Sequence, residues 1–331
     1  YLVNSIQWIV FRQSDSPAVF AQGLSAFERI IIPTLGGLLA GLVLLLRTHL
    51  SGSKKVTNVL EAVAVGDGRL GMRATLIHAW SSLLSIGTGA SIGREGAITQ
   101  LTATFASKWG QFHRWQPYRL RLMVACGAAA GLAAAYNAPI AGALFAALVL
   151  VGNFSMNLFA PLVMASVVAT MVSRFWFGIE PWYVLPESID FGQAARFSQM
   201  GWFLILGTLS GVGGAFFLKS IQKVESATEK STWPGWVKLG LAGLAVGLIA
   251  LVFPGVWGNG YEITNQILKA ESPETGFLVL VKGSVLESLD AWKIPLVVLA
   301  GLLVAKFVAT VVTVGAGTVG GVFTPTLFLG A

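Results

Sequence analysis

One charged pair lies between glycines in an otherwise apolar part of the chain, within Ser91-Ile92-Gly93-Arg94-Glu95-Gly96-Ala97. A carboxylate at the centre of a bilayer costs about 2.5–3.5 kcal/mol even on the insertion scale, so it normally lines a cavity or a pathway. The flanking glycines allow the backbone to leave a helix and to approach a ligand closely. Glu95 would then begin the next helix, where unpaired N–H groups and the helix dipole favour negative charge.

A helix N-terminus that holds a carboxylate also holds a small free anion. We therefore expect Glu95 to occupy an anion site and to compete with the anion for it, with Gly93, Arg94 and Gly96 as anion-binding residues beside it. The structural alternative is a salt bridge between Arg94 and Glu95. That alternative is weak because adjacent residues on a helix do not face each other.

The composition is that of a membrane protein. Of 331 residues, 55% are hydrophobic and only 11% are charged, and the mean hydropathy is +0.73, whereas soluble domains carry about 25% charged residues. The net charge of +7 comes from basic residues scattered among apolar runs, which favours loops facing a negative membrane surface over nucleic-acid binding. The single cysteine, Cys126, excludes a disulfide within the chain, and we expect no metal or cofactor.

Long apolar runs predict membrane-spanning helices at residues 30–46, 156–178, 201–218, 236–253 and 294–314, with a charged linker at 219–231. Asn137-Ala138-Pro139 predicts a helix break, because the residue before a proline avoids helical angles. Lys306 lies inside the last span, where we expect it to bind backbone carbonyls or to reach the interface. The chain starts at Tyr1 and stops at Ala331 within an apolar run, so we expect a domain truncated at both ends.

Two broken segments, 91–97 and 315–331, share glycines, a short polar break and the start of a helix. They lie in a first half, 1–199, and a second half, 200–331. Broken segments at corresponding positions of two halves indicate a substrate site near the middle of the membrane. The sequence alone does not align the halves residue by residue.

Three segments resemble the CLC family of chloride channels and chloride/proton antiporters. Gly93-Arg94-Glu95-Gly96-Ala97 is similar to the family's GREGP segment, Gly127-AAAGLAAAYNAP followed by Ile140-AGALF is similar to the next one, and Gly321-Val322-Phe323-Thr324-Pro325 matches GxFxP. The chain is also similar to the bacterial branch of voltage-gated chloride channels. The resemblance implies an all-α inverted-repeat bundle of tilted and broken helices, forming one transmembrane domain over 1–331, and a homodimer with one pore per subunit.

The resemblance also implies roles for individual residues. Glu95 corresponds to the gating glutamate, and the backbone N–H groups of Val322 and Phe323 correspond to central anion ligands. Ser53 corresponds to the central-site serine if Gly52-Ser53-Lys54-Lys55-Val56 stands for GSGIP, although only its first two residues match. The family's central-site tyrosine would lie beyond Ala331, so no tyrosine of this chain is assigned that role.

The resemblance places the internal proton-relay glutamate of the antiporters at Val149, which cannot carry a proton. The sequence therefore predicts channel-like chloride transport across a bacterial inner membrane, with chloride as substrate and the lipid bilayer as surroundings. The alternatives are a chloride/proton antiporter with another proton path and a fluoride-selective exporter. An intramembrane enzyme is a remote alternative. A membrane aspartyl protease needs two aspartates within apolar helices, but the aspartates of this chain lie in polar or turn contexts: Asp15, Asp67, Asp190 and Asp290. A serine protease could pair Ser81 or Ser82 with His78, but nothing supplies the rest of such a site.

Overall fold

A computed structural model of the chain describes residues 17–51, 58–179, 200–269 and 295–330. Within these ranges the chain forms 13 α-helices and no β-strand. The helices are α1 Pro17–Gly23, α2 Ala26–Ser51, α3 Val59–Ala64, α4 Met72–Gly87, α5 Glu95–Phe112, α6 Pro117–Tyr136, α7 Pro139–Phe145, α8 Met156–Phe177, α9 Met200–Lys230, α10 Gly235–Val252, α11 Tyr261–Lys269, α12 Pro295–Gly315 and α13 Phe323–Gly330.

Five helices in the described part of the chain are long and apolar enough to cross a membrane. They are the predicted spans, at Ala26–Arg47, Met156–Phe177, Met200–Lys230, Gly235–Val252 and Val297–Gly315. The first begins four residues before the expected apolar run, because Ser25 and Glu28 form a capping box. The Ser25 N–H donates to Glu28 Oε2 over 2.9 Å, and the Glu28 N–H donates to Ser25 Oγ over 3.4 Å.

The prediction of a charged linker at 219–231 is wrong. Helix α9 continues without interruption from Met200 to Lys230. The segment that follows the apolar run contains neither glycine nor proline, the two residues that most disfavour a helix interior, and includes three lysines and two glutamates, which favour helices. The apolar run marks how far α9 can lie in lipid, and the polar continuation extends the same helix beyond it.

The predicted break at Asn137-Ala138-Pro139 is confirmed. Helix α6 ends at Tyr136, Asn137 adopts a left-handed conformation with φ of 57°, and α7 begins at Pro139. The side chain of Arg174, in the last turn of α8, donates from Nε to Asn137 Oδ1 over 2.6 Å. The end of α6 is therefore fixed to a neighbouring helix.

Helices α2 and α10 approach each other so closely that their glycines cannot be replaced without a backbone shift. A Cβ at Gly243 would overlap the carbonyl oxygen of Pro33, and one at Gly37 would overlap the carbonyl oxygen of Leu239. Small residues allow this approach, which is typical of helix pairs in membranes. This pair joins the first half of the chain to the second.

Lys306 is completely buried inside α12 and holds the segment that follows α10. Its ammonium donates to the carbonyl oxygens of Val256 over 3.0 Å and of Gly258 over 2.8 Å. It also lies 5.3 Å from the ring centroid of Phe328, a cation–π arrangement. The expectation that Lys306 binds backbone carbonyls is confirmed, and its effect is to fix the turn between α10 and α11.

We expect Lys306→Met to destabilise the fold by about 2 kcal/mol, because it leaves the two buried carbonyls without their donor. Thermal unfolding of the detergent-solubilised protein measures this as a lower midpoint. Lys219→Met, at an exposed position of α9, is the matched control and should unfold like the original protein. Equal midpoints for the two variants would show that the ammonium–carbonyl contacts contribute no stability.

Candidate functional site

Two interruptions between consecutive helices, with the same backbone geometry, form the site. Helix α4 ends at Gly87 and α12 ends at Gly315, and in each case the next helix begins eight residues later, at Glu95 or Phe323. Both ends use the same cap: the N–H of Thr88 bonds to Leu84 O, and the N–H of Ala316 bonds to Val312 O. The next residue is a glycine with positive φ in both, 103° at Gly89 and 88° at Gly317. The two breaks are therefore structural repeats.

The repeats meet at a single antiparallel bridge between Gly93 and Gly321. The N–H of Gly93 donates to Gly321 O over 2.7 Å, and the N–H of Gly321 donates to Gly93 O over 2.8 Å. Because each helix starts two residues after its bridging glycine, the N-termini of α5 and α13 come together there. Their unpaired N–H groups make the junction favourable for negative charge.

The carboxylate of Glu95 lies at this junction. The side chain is only 5% exposed, and Oε1 accepts a hydrogen bond from the hydroxyl of Thr324. Oε2 is buried and has no hydrogen-bond partner among the described residues. A Cβ at Gly93 would overlap Oε2, and one at Gly321 would lie 3.2 Å from it. Glycine at both bridge positions is therefore what allows the carboxylate to fit between the two segments.

A second hydroxyl extends this contact. Tyr136 Oη lies 2.9 Å from Thr324 Oγ1, and the Tyr136 ring packs edge-on against Phe323 with 5.3 Å between ring centroids. Tyr136 is the last residue of α6 and Thr324 is the second residue of α13. Three helices therefore contribute to the surroundings of Glu95.

A narrow cleft leads to the carboxylate. Its volume is about 250 Å³, including the open mouth. The cleft is lined by Arg94, Glu95, Ala135, Tyr136, Asn259, Tyr261 and Thr324.

Two lining residues of the cleft come from the turn that Lys306 holds and from the start of α11. Asn259 lies between Gly258 and Gly260, and its Oδ1 accepts the N–H of Tyr261, the first residue of α11. The buried lysine thus fixes the backbone next to two polar residues that line the same cleft as Glu95.

The predicted anion ligands Val322 and Phe323 lie at the start of α13. No acceptor among the described residues is bonded to either backbone N–H, as an anion-binding role requires. Gly93 differs, since its N–H already donates to Gly321. While the bridge is intact, Gly93 can approach a ligand through its Cα only.

Val149 is not part of this site. It lies in a π-helical turn, Ala146–Val151, that follows α7, and its side chain is 51% exposed. The neighbouring Leu148 is 64% exposed. Ser53, with Lys54 and Lys55, lies outside the described residues.

The serine-protease alternative has no geometric basis at His78. Ser81 Oγ donates to Ala40 O over 3.0 Å, while His78 Nε2 lies 2.8 Å from a guanidinium nitrogen of Arg47. The two side chains have different partners.

Sequence reasoning missed Tyr136, Thr324, Asn259 and Tyr261. Two of them were within reach, because Tyr136 and Thr324 are hydroxyl residues inside the motifs singled out above. The repeat was also detectable: Gly87-Thr-Gly-Ala-Ser-Ile-Gly93 and Gly315-Ala-Gly-Thr-Val-Gly-Gly321 share the pattern G-x-G-x-x-x-G. When the two segments are aligned on that pattern, Glu95 corresponds to Phe323.

Comparison with known proteins decides the family. Residues 36–331 match the family model described as voltage gated chloride channel. The chain belongs to this family. It is an integral, multi-pass membrane protein of the CLC type, and because the family consists of channels and transporters, the prediction that the chain is not an enzyme is confirmed.

Curated CLC relatives cover nearly all of this chain. It is 37% identical over 337 residues to the putative chloride channel protein ClcB-like of Ralstonia nicotianae, covering 99% of this chain and 72% of the relative. It is 34% identical over 331 residues to the voltage-gated ClC-type chloride channel ClcB of Escherichia coli strain SMS-3-5, covering 98% and 72%.

Solved CLC structures share the fold. A slow cyanobacterial Cl⁻/H⁺ antiporter superposes with a TM-score of 0.74 at 22% identity, covering 99% of this chain and 72% of that one. A CLC-type fluoride/proton antiporter superposes with a TM-score of 0.62 at 21% identity, covering 93% and 78%. The predicted all-α CLC fold of broken helices is confirmed.

The junction itself can be tested at Gly96. A Cβ there would lie 3.1 Å from the Gly320 carbonyl carbon and the Gly321 nitrogen. Overpacking against this backbone costs about 1–3 kcal/mol, more than the 0.5–1 kcal/mol that alanine gains over glycine in a helix. We therefore expect Gly96→Ala to lower the thermal unfolding midpoint.

Gly211→Ala in α9, where nothing lies within 4 Å of the added Cβ, provides the control. It should leave the midpoint unchanged or raise it slightly. A shift in the same direction for both variants would contradict the close approach of the two segments.

Proposed function

We propose that this protein transports chloride across the membrane through a path that Glu95 closes. The observation that carries the proposal is the burial of the Glu95 carboxylate where the N-termini of α5 and α13 meet. Among the described residues Glu95 is the buried carboxylate, while Glu28, Glu61, Asp67, Glu225, Glu229 and Glu262 are exposed or partly exposed. The names of the curated relatives support chloride as the ion.

Chloride would leave water for a site lined by N–H dipoles and hydroxyls instead of full positive charges. Such groups replace the hydration of the ion without holding it too strongly, and conduction requires that balance. Glu95, when ionised, is itself an anion at this position and excludes chloride from it. Protonation of the carboxyl group or competition by chloride moves it out and opens the path.

The proposal of channel-like transport depends on Val149. At the position of the antiporters' internal glutamate this chain carries a side chain that cannot bind a proton, and it lies on the exposed surface. The competing function is chloride/proton antiport by another proton path, which one observation favours: two solved structures with the same fold are a Cl⁻/H⁺ antiporter and a fluoride/proton antiporter. The proposal also includes a homodimer, which the resemblance to the family implies, and a bacterial inner membrane, which the bacterial organisms of the relatives support.

Ion flux decides between these functions. In liposomes reconstituted with the full-length protein, we expect chloride efflux without stoichiometric proton uptake, because Val149 offers no relay. Proton uptake in a fixed ratio to chloride would make the protein an antiporter. Efflux of fluoride without efflux of chloride would show that fluoride, and not chloride, is the transported ion.

The gate is tested by Glu95→Gln, which keeps the shape of the side chain and removes its charge. We expect chloride flux to rise by about tenfold or more, the equivalent of losing a hydrogen bond to a charged group, and acidification to have no further effect. Glu229→Gln, at an exposed position of α9, controls for loss of a negative charge elsewhere. If Glu95→Gln kept the flux and pH response of the original protein, Glu95 would not be the gate.

A further inference from the structure

A chain of two hydroxyl groups ends on the Glu95 carboxylate. The Thr324 hydroxyl donates to Glu95 Oε1, and Tyr136 Oη lies 2.9 Å from Thr324 Oγ1. These residues come from α13, α6 and α5 and are far apart in the sequence.

The direction of the hydrogen bonds follows from the charge at the end of the chain. An ionised carboxylate only accepts hydrogen bonds, and a threonine hydroxyl has a single hydrogen to donate. Because that hydrogen goes to Glu95 Oε1, Tyr136 must donate to the oxygen of Thr324. Two donors in series point at the negative charge, and each polarises the next.

The geometry is held from several sides. Thr324 is only 2% exposed. The Tyr136 ring packs edge-on against Phe323, and the backbone next to it is fixed by Asn137 and Arg174. Both hydroxyls are thus held in position independently of Glu95, so little side-chain conformational freedom is lost when the hydrogen bond to the carboxylate forms.

Glu95 depends on this contact because its other oxygen has no partner among the described residues. For the carboxylate to leave, the Thr324 bond must break, and charge-assisted bonds are about twice as strong as neutral ones. A protonated carboxyl accepts more weakly, so the hold on it is looser.

We propose that Thr324 and Tyr136 form a latch that keeps Glu95 in the closed position and sets how easily the path opens. This inference rests on the proposed role of Glu95 as the gate. Thr324 and Tyr136 are positioning residues in it: they act through Glu95, and their effect exists only while the carboxylate is present.

The test is chloride efflux from liposomes at neutral pH and low external chloride. Thr324→Val keeps the shape of the side chain and removes the donor, and is expected to raise the flux about tenfold. Tyr136→Phe removes only the outer hydroxyl, and is expected to raise it about threefold, as for a neutral hydrogen bond. Thr324→Ser restores a donor at the same position and should return the flux close to that of the original protein.

Thr326→Val is the matched control. Thr326 lies two residues further along α13, is exposed, and donates its hydroxyl hydrogen to Phe323 O, not to Glu95. Its replacement should leave the flux unchanged. A rise equal to that of Thr324→Val would indicate loosening of α13 in general and would overturn the latch.

Combination with Glu95→Ala separates a latch from an anion ligand. Without the carboxylate the latch has nothing to hold, so Thr324→Val and Tyr136→Phe should not change the flux any further in that background. An equal effect of Thr324→Val with and without Glu95 would overturn the latch and make Thr324 a ligand of the ion.

The failure of the latch differs from the failure of the proposed function. If Glu95→Gln opens the path but both Thr324→Val and Tyr136→Phe behave like the original protein, the latch is wrong and the gate stands. If Glu95→Gln itself has no effect, the gate is wrong and the latch falls with it.

Discussion

The two backbone hydrogen bonds between Gly93 and Gly321 are the constraint on which the site depends. They join the segment between α4 and α5 to the segment between α12 and α13, which is remote in sequence, and bring the starts of α5 and α13 together. A Cβ at Gly93 would overlap Glu95 Oε2, and one at Gly321 would lie 3.0 Å from the Gly96 nitrogen and 3.2 Å from Glu95 Oε2. The backbone bridge, the two glycines and the position of the Glu95 carboxylate therefore depend on one another, and a change in any of them disturbs the other two.

The surroundings of Glu95 combine weak partial charges with burial. Helix N-termini supply a favourable field for an anion, the hydroxyls of Thr324 and Tyr136 form a chain of hydrogen bonds that ends on the carboxylate, and the side chain is only 5% exposed. A carboxylate is stable in such a place, and a chloride ion would be similarly accommodated. These features are the ones on which the proposed competition between Glu95 and chloride depends.

Much of this could be predicted from local patterns. Glu95 was conspicuous as an ionisable residue between glycines, Asn137-Ala138-Pro139 breaks its helix as expected, and Lys306 binds carbonyls. What failed was of two kinds. The ends of α2 and α9 are set by a capping box and by helix propensity, which hydropathy does not register. The contacts of Thr324 with Glu95 and Tyr136 join distant segments, and no periodicity in the sequence encodes which remote hydroxyl meets which carboxylate. The roles of Ser53, Val322, Phe323 and Val149 stay predictions.

The long separation between Gly93 and Gly321 has a consequence for biosynthesis. Most of the described chain must be made and inserted before α13 can pair with α5, and closing so long a loop is entropically unfavourable until other helices have packed. Until then Glu95 is an ionisable group in a membrane protein without the threonine that later binds it, and such a group costs about 2.5–3.5 kcal/mol in the bilayer interior. The surroundings of Glu95 are thus complete only after α13 has been made and has packed against α5.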